Sequence, residues 1–318
     1  MGFEGIEYVW LNGALVRWDD ATTHVATHAL HYGTGVFEGI RCYDGVDGPA
    51  VFRLPEHVDR LFASAAVYNL VHEFTHEQLI DATLEVIAAN NLRNCYVRPI
   101  VWSGTDNLGI RVDCPIEVAI LAWPDMGHVR PEAKALGVRL TLSPYHKIHT
   151  SMLPSTAKAC GQYIGSRLAV REAMSRGFDE ALMTNADGTI AEGAVENLFL
   201  VHDGRLVTND ARSSILMGIT RDAVLGLAGD LGIETEIRAM TLDDLRLSDE
   251  AFLTGTACEV TGIRELDGLP IGSGRIGPIT ARIQEAFSAA TSGSAGTRAE
   301  WRTTVPGFKQ AVAGSAAV

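Results

Sequence analysis

Clustered positive charge, long apolar runs and a targeting segment are all missing from this sequence. Its formal net charge of −13 argues against nucleic acid or an anionic membrane as a partner, because both bind clustered basic residues. No apolar run approaches the roughly 20 residues that span a bilayer. The first residues also lack the basic and apolar pattern of a signal peptide. These absences predict a cytoplasmic protein without membrane or nucleic-acid partners.

The signatures of several common sites are missing as well. The five cysteines are scattered and form no CxxC pair, so we expect reduced thiols and neither disulfides nor a zinc site. His24, His28 and His31 lie close together, but no carboxylate or cysteine cluster completes a metal shell, and we predict no metal. Neither a GxGxxG nor a P-loop motif occurs, which argues against a doubly wound nucleotide-binding fold.

The length and the pattern of the chain predict two domains. Its 318 residues, 47% of them hydrophobic, are enough for two separate cores. We place a small N-terminal α/β domain at 1–123 and a larger one, with mostly antiparallel strands, at 134–290. Two prolines and a glycine mark an interdomain linker at 124–133. The Gly-, Ser- and Ala-rich segment 291–318 is expected to be partly loose, although Trp301 could still dock.

The stretch from Ser155 to Phe199 carries the main chemical signal. Lys158 opens a run of helical period, and Glu192 follows on a Gly-rich strand end. A lysine amine can form a Schiff base with an aldehyde cofactor, and pyridoxal phosphate also needs an acidic partner for its ring nitrogen. By itself the pairing also fits a solvated lysine and an ordinary turn. The apolar residues that give the run its period are Tyr163, Ile164, Leu168, Ala169 and Ala173.

Five separated motifs, within a stretch from about residue 8 to about residue 290, extend this signal. They lie at His31–Arg41, Tyr96–Pro99, Ala157–Tyr163, Glu192–Phe199 and Glu250–Val260. In this order they resemble the class IV aminotransferases. That pyridoxal-phosphate family includes branched-chain amino-acid aminotransferases, D-amino-acid aminotransferases and aminodeoxychorismate lyase.

The resemblance implies a fold and a set of roles. The fold is the two-domain, mixed α+β and α/β architecture of fold type IV, with pyridoxal 5'-phosphate between the domains. Lys158 is implied to be catalytic and to carry the cofactor. The residues implied to bind the cofactor are Arg60, Lys158, Tyr163, Glu192, Ile219, Thr220 and Thr256. The residues implied to bind the substrate are Tyr32, Phe37, Tyr96, Arg98, Thr256 and Ala257.

Some of these residues also carry a signal of their own or a simpler alternative. Strand alternation puts Tyr96 and Arg98 on one face, where a buried arginine needs an anionic partner. Arg60 could instead pair with Glu56, one helical turn earlier. The start of the helix at Gly-Ile-Thr offers free N–H groups for an anion, as many helices do.

Two further pairs of side chains bear on the prediction without being assigned to the site. For Glu38 and Arg41 we predict a buried or subunit-bridging ion pair. Asp125 and His128 stand in the linker, where many bacterial members carry aromatic residues that cover the substrate pocket. Because of this departure, the motifs predict the type of reaction but leave the identity of the substrate undecided.

The implied function is reversible amino transfer between branched-chain L-amino acids and 2-oxoglutarate, by a homodimer or a dimer-based oligomer. A D-amino-acid or (R)-amine transaminase of the same fold is the main alternative. A lyase of this fold and a non-catalytic carrier of the cofactor are the others. Tyr96, Arg98 and the Thr256-Ala257 turn favour transfer over elimination.

Overall fold

The computed structural model describes residues 3–124, 135–294 and 297–308. Asp125 and His128 lie outside the described residues. Their proposed effect on substrate choice therefore stays a prediction. Among the described residues, no helix is long and apolar enough to cross a membrane.

The chain divides into two units, Met1–Met126 with Ser288–Val318, and Gly127–Phe287. Among its described residues the first unit has eight strands, β1 Tyr8–Leu11, β2 Ala14–Arg17, β3 Gly35–Phe37, β4 Ile40–Gly45, β5 Gly48–Phe52, β6 Cys95–Ser103, β7 Ile116–Pro124 and β17 Arg302–Thr304. Its α-helices are α1 His28–Tyr32, α2 Leu54–Val67 and α3 His76–Ala89.

The strands of the first unit form one antiparallel sheet. Its order is β17-β5-β4-β6-β7-β1-β2, and β3 pairs with β6 beside this path. Strands β1 and β2 form a hairpin in which Asn12 and Gly13 both adopt positive φ, as a type I′ turn requires. Since β6 pairs with β3, β4 and β7, the strand that carries Tyr96 and Arg98 lies in the interior of the sheet.

The segment after residue 296 joins the first unit. Strand β17 pairs with β5, and Trp301 is only 9% exposed. Its ring lies edge-on to Phe52 with the centroids 5.8 Å apart, and the Arg53 guanidinium stacks on it. Trp301 thus docks, as the sequence allowed, and holds this part of the C-terminal segment in place.

The second unit contains the remaining elements. Its strands are β8 Val138–Leu142, β9 Glu180–Thr184, β10 Ile190–Gly193, β11 Asn197–His202, β12 Arg205–Thr208, β13 Thr235–Ile237, β14 Glu250–Gly255, β15 Glu259–Leu266 and β16 Leu269–Pro270. Its helices are α4 Tyr163–Ser175, α5 Ile219–Asp230 and α6 Leu242–Arg246, and α7 Pro278–Ser292 runs on into the first unit.

The sheet of the second unit is mixed, in the order β10-β9-β8-β15-β14-β11-β12-β13 with β16 beside β15. Strand β8 pairs in parallel with β9 and β15, β12 pairs in parallel with β13, and the other pairs are antiparallel. The expected antiparallel majority is therefore present. Fully buried aliphatic and aromatic side chains from β9, β10, β11 and β14 fill its core.

Helix α4 buries a different face from the one that its apolar period indicated. Ala169 and Ala173 are fully buried against β9, whereas Ile164 is 66% and Leu168 is 49% exposed. Small side chains allow the helix to approach the sheet closely, so the larger apolar ones lie outside that contact. Ile164 and Leu168, two of the five residues that give the run its helical period, are therefore exposed in this chain.

Candidate active site

Lys158 lies before α4 and not in its first turn. A 3₁₀ turn at Cys160–Gln162 separates them, and the helix begins at Tyr163. The Lys158 Nζ donates a hydrogen bond to the Tyr163 Oη at 2.7 Å. Residues five apart in an α-helix would point about 140° away from each other. The break before the helix is therefore what brings the amine to the phenol.

Glu192 lies on β10 and is only 3% exposed. The pairing of β10 with β9 shifts register between Ile190 and Glu192, and such an irregularity commonly redirects a side chain. Asn197, at the start of β11, donates through Nδ2 to the Glu192 Oε2 at 2.9 Å and to the Leu216 carbonyl at 2.8 Å. The buried acid is thus held by a neighbouring strand.

The acid also has an ion-pair partner that the sequence did not reveal. The Lys147 Nζ lies 2.6 Å from the Glu192 Oε1. Burial opposes the charge of Lys147, but Glu192, Tyr163 and Glu196 outweigh it and raise the pKa of its ammonium. Glu192 therefore faces a fixed cation, and Lys147 joins the candidate site.

The start of α5 lies beside the same group. Gly218 is its N-cap residue, no side chain caps the first turn, and Ile219 and Thr220 are buried there. A Cβ at Gly218 would lie 2.0 Å from the Asn197 Oδ1, so only glycine allows this approach. The uncapped N–H groups suit a phosphate.

Thr256 and Ala257 lie in the turn between β14 and β15, and both are half-buried. Thr254, near the end of β14, pairs in register with Asn197. The turn therefore follows the strand that lies next to Asn197. Its hydroxyl and backbone groups are of the kind predicted to contact a phosphate and a carboxylate.

In the first unit, Phe37, Tyr96 and Arg98 form a cluster on β3 and β6. The Arg98 guanidinium lies 4.6 Å from the centroid of the Phe37 ring and 5.4 Å from that of Tyr96. Its Nη2 donates to the Tyr96 Oη at 3.3 Å, while its buried Nε has no hydrogen-bond partner among the described residues. Gly39 makes room for the Tyr96 hydroxyl, because a Cβ there would lie 2.0 Å from it. The Arg98 Nε is therefore a donor in this cluster that could bind an anion.

Tyr32 is more exposed than its predicted contact with a substrate side chain would suggest. It ends α1, is 47% exposed and donates to the Leu108 carbonyl at 2.7 Å. Its ring lies 4.6 Å from that of His28.

Within the part of the chain that the structure describes, no group of three or more potential ligands could hold a metal ion.

Arg60 is tied to a buried acid. Its Nε and Nη2 donate to the two oxygens of Glu38 at 2.7 and 2.9 Å, and the His57 Nδ1 lies 2.7 Å from the same carboxylate. Burial opposes ionisation of Glu38, but Arg60 and His57 lower its pKa strongly. The acid that we expected to pair with Arg41 is thus the partner of Arg60, and Glu56, the alternative partner of Arg60, pairs with Arg53.

A family model described as Amino-transferase class IV matches residues 35–266. The chain belongs to this family. It is 43% identical over 298 residues to a branched-chain-amino-acid aminotransferase of Pseudomonas aeruginosa, covering 93% of this chain and 97% of that one. It is 42% identical over 297 residues to the enzyme of that name from Escherichia coli K12, covering 93% and 96%.

Crystal structures of class IV aminotransferases confirm the predicted fold. The Escherichia coli branched-chain amino acid aminotransferase matches with a TM-score of 0.92 and 42% identity, over 94% of this chain and 99% of that one. The branched-chain amino acid aminotransferase of Thermobaculum terrenum, in its PLP-form, matches with a TM-score of 0.88 and 33% identity, over 95% and 99%. The predicted family, the fold-type-IV architecture, the transaminase class and the pyridoxal-phosphate cofactor are therefore confirmed.

The predicted site residues of this class IV aminotransferase fall in both units. The first unit holds Tyr32, Phe37, Arg60, Tyr96 and Arg98, and the second holds Lys158, Tyr163, Glu192, Ile219, Thr220, Thr256 and Ala257. The sequence indicated no role for Lys147, Asn197 or His57, and it predicted Arg41 as the partner of Glu38. Asn197 lay within a quoted motif and could have been found there, whereas Lys147 carries no local pattern.

Proposed function

We propose that this chain is a pyridoxal-phosphate-dependent branched-chain amino-acid aminotransferase. The observation that carries the proposal lies in the second unit: Lys158 is hydrogen-bonded to Tyr163, and both Tyr163 and the buried carboxylate of Glu192 act on Lys147. The cofactor needs a lysine amine at its aldehyde and an acid at its ring nitrogen, and Lys158 and Glu192 would supply one group each. The relatives named above carry this activity in their names.

The residues present fit the cofactor. The uncapped first turn of α5, with Gly218 pressed on Asn197, leaves N–H groups for the phosphate. Thr220 and Thr256 would add hydroxyls, and Arg60 would add a guanidinium whose orientation Glu38 fixes. When bound, pyridoxal phosphate supplies an aldehyde for the amine and a ring that accepts electrons from the substrate Cα.

Three side chains of this protein have separate roles in holding and moving protons. The Lys158 Nζ would act as the base that takes the proton from the substrate Cα and delivers it to C4′ of the cofactor. The Tyr163 Oη, hydrogen-bonded to that nitrogen, keeps it in position. The Glu192 carboxylate, buried and paired with Lys147, would hold a proton on the ring nitrogen of the cofactor.

Arg98 is proposed to bind the substrate carboxylate. Its buried Nε lacks a partner among the described side chains, and an unsatisfied buried donor is costly until an acceptor arrives. Phe37 and Tyr32 would contact an apolar side chain, which suits branched-chain L-amino acids with 2-oxoglutarate as the acceptor. A branched-chain amino acid aminotransferase 42% identical to this chain was crystallised in complex with 4-methylvaleric acid, a branched carboxylate of this kind.

We further propose that the protein is a homodimer or a dimer-based oligomer in the cytoplasm. Large apolar side chains are exposed in both units, among them Leu30 at 64%, Ile110 at 72% and Ile164 at 66%. Exposed apolar groups of this size are typical of a subunit interface. Light scattering over a range of concentrations tests this state, and a monomer throughout would contradict it.

A donor and acceptor screen tests the proposed reaction. L-Leucine, L-isoleucine and L-valine with 2-oxoglutarate are expected to be the best pairs, ahead of D-alanine and (R)-1-phenylethylamine with pyruvate. Faster turnover of the amine would point to the (R)-amine transaminase. Release of pyruvate without any acceptor would point to the lyase.

A further inference from the structure

Lys147 contacts the acid on which the proposed reaction depends, although the proposed mechanism so far gives it no role in moving a proton. Its side chain is 20% exposed, and that of Glu192 is 4% exposed. An ion pair this enclosed constrains both partners far more than a surface pair does. We propose that Lys147 is a positioning residue: it fixes Glu192 in place as a carboxylate, and its charge sets the pH up to which the Lys158 nitrogen holds a proton.

The backbone delivers Lys147 to this position. Its N–H donates to the Thr184 carbonyl at 2.9 Å, and the preceding His146 forms a side-chain hydrogen bond to the Thr184 hydroxyl at 2.9 Å. Thr184 ends β9 and pairs with Ile190 at the start of β10, the strand that carries Glu192. The segment of Lys147 is therefore attached to the pair of strands that holds the acid.

The carboxylate is held from both sides. Lys147 lies on Oε1 and the Asn197 amide lies on Oε2. Each carboxylate oxygen accepts about two hydrogen bonds, so both contacts leave an acceptor position for a further donor. Glu192 is thus oriented before any ligand binds, which is the role that a positioning residue performs.

The two lysines of this region differ in their partners. Lys147 is paired with a carboxylate, which raises the pKa of its ammonium and keeps it protonated and non-nucleophilic. The hydrogen bond of Lys158 goes to a phenol. Tyr163 connects them, because it receives the Lys158 hydrogen bond and is one of the groups that raise the pKa of Lys147.

This connection predicts the direction in which the loss of the Lys147 charge changes the protonation of Lys158. The groups that act on Lys147 are Glu192, Tyr163 and Glu196. Without its positive charge, the surroundings of Tyr163 and Lys158 become more negative. The Lys158 nitrogen should then keep its proton to a higher pH.

The first test uses the protein without cofactor, so it does not depend on the proposed function. Melting temperatures of wild type, Lys147→Met, Glu192→Gln and the double variant form a cycle. We expect Lys147→Met to lower the melting temperature by about 5 °C or more. The double variant should lose clearly less than the sum of the two single losses.

The pH range of the coupling follows from the raised pKa of Lys147. The stability that this charge contributes is fully present below the ordinary lysine value of about 10.4 and is lost as the pH rises through the folded value. The coupling should therefore be constant between about pH 7 and pH 9. Additive losses in the cycle would overturn the proposed fixing of Glu192.

The second test is the pH dependence of the visible absorption of the holoenzyme. Lys147→Met should raise the pH at the midpoint of the absorption change by about one unit. Lys147→Arg keeps the positive charge, so its midpoint should equal that of the wild type. Arg238→Met is the matched control, because it breaks another ion pair of the second unit, Arg238 to Asp244 at 2.9 Å. It should lower the melting temperature without moving the midpoint.

The outcomes separate the two proposals. An unmoved midpoint in Lys147→Met, or an equal shift in Lys147→Arg, would show that Lys147 has only a structural role. A holoenzyme that never forms, together with a coupled cycle, would contradict the proposed function and leave the ion pair established. A coupled cycle with the expected shift would support both halves of the proposal.

Discussion

The two units treat their buried charges differently. In the second unit, Glu192 is matched by Lys147 and held by Asn197. In the first unit, no carboxylate among the described residues pairs with Arg98, which lies against two aromatic rings with its Nε unsatisfied. Arg98 in the first unit therefore offers a charge that a ligand can neutralise, whereas Glu192 in the second is already neutralised by Lys147.

This difference assigns the two units different tasks. A cation without an acid selects a ligand that carries a carboxylate, because such a ligand removes the penalty of the unpaired donor. A balanced cluster does not select a ligand by its net charge, but it holds reacting groups in a fixed geometry. Substitution of Arg98 in the first unit should therefore change which substrates are accepted, and substitution of Glu192 in the second should change the rate for all of them.

Lys158→Ala should have the largest effect and the least substrate dependence. The amine that we propose to carry the cofactor and to move the proton is lost, so turnover should fall by about 10⁴-fold or more for every donor. Borohydride reduction of the wild-type holoenzyme followed by peptide mapping should label Lys158. The sequence contains four lysines, Lys134, Lys147, Lys158 and Lys309, and label on Lys147 would contradict the assignment.

Glu192→Gln should reduce the rate strongly while the cofactor stays bound. A neutral amide cannot hold the proton of the ring nitrogen, so we expect a loss of about 10²- to 10³-fold in kcat. Arg60, Thr220 and Thr256 would still hold the phosphate. Absorption spectra measure whether the variant keeps its cofactor, and initial rates measure the loss of kcat. Loss of cofactor with normal residual chemistry would reverse the proposed role.

Arg98→Ala should sharpen the contrast between the units. A charge-assisted hydrogen bond to a carboxylate is worth about 1.5–3 kcal/mol, which corresponds to roughly a 10- to 150-fold loss of kcat/KM for L-leucine. (R)-1-Phenylethylamine lacks a carboxylate, so whatever rate it has should change little. If the variant leaves L-leucine unaffected, Arg98 does not bind the substrate carboxylate.

The sequence predicted the fold well where local pattern and family motif agreed. The Thr256-Ala257 turn lies where it was expected, between two paired strands. The buried face of α4 was not predictable from apolarity, because the contact with β9 selects small side chains. Apolar period alone cannot distinguish a core from an exposed apolar surface.

The site was predictable in its residue types and not in its pairings. Lys158 and Glu192 belong to motifs, so their positions could be inferred. Lys147 lies far along the chain from Glu192, and only the pairing of β9 with β10 brings them together. The same holds for Glu38, which lies between β3 and β4, and Arg60, which lies on α2; they meet only in the folded unit.

One acid pair in the second unit breaks its charge balance, and it gives the smallest expected effect. Burial raises the pKa of Glu180 to about 7, and burial together with Glu180 raises the pKa of Glu196 well above its usual range. Both line a cavity of about 710 Å³ that Cys258 also borders. The folded state therefore binds more protons here than the unfolded chain does.

The sign of the stability effect follows from this proton excess. Stability should fall as the pH rises from about 4.3, the ordinary value of a glutamate, to about 7, the raised value in the fold, and should be level above that. Glu180→Gln removes the group that must ionise, so at pH 8 it should raise the free energy of unfolding by on the order of 1 kcal/mol, and near pH 5 by much less. Glu234→Gln, at an exposed pair with Arg205, is the control and should change little at either pH. Urea unfolding of the cofactor-free protein at both pH values measures the difference. A loss of stability in Glu180→Gln that is equal at pH 5 and pH 8 would mean that this carboxyl is ionised in the fold and that the charges of the second unit are balanced throughout.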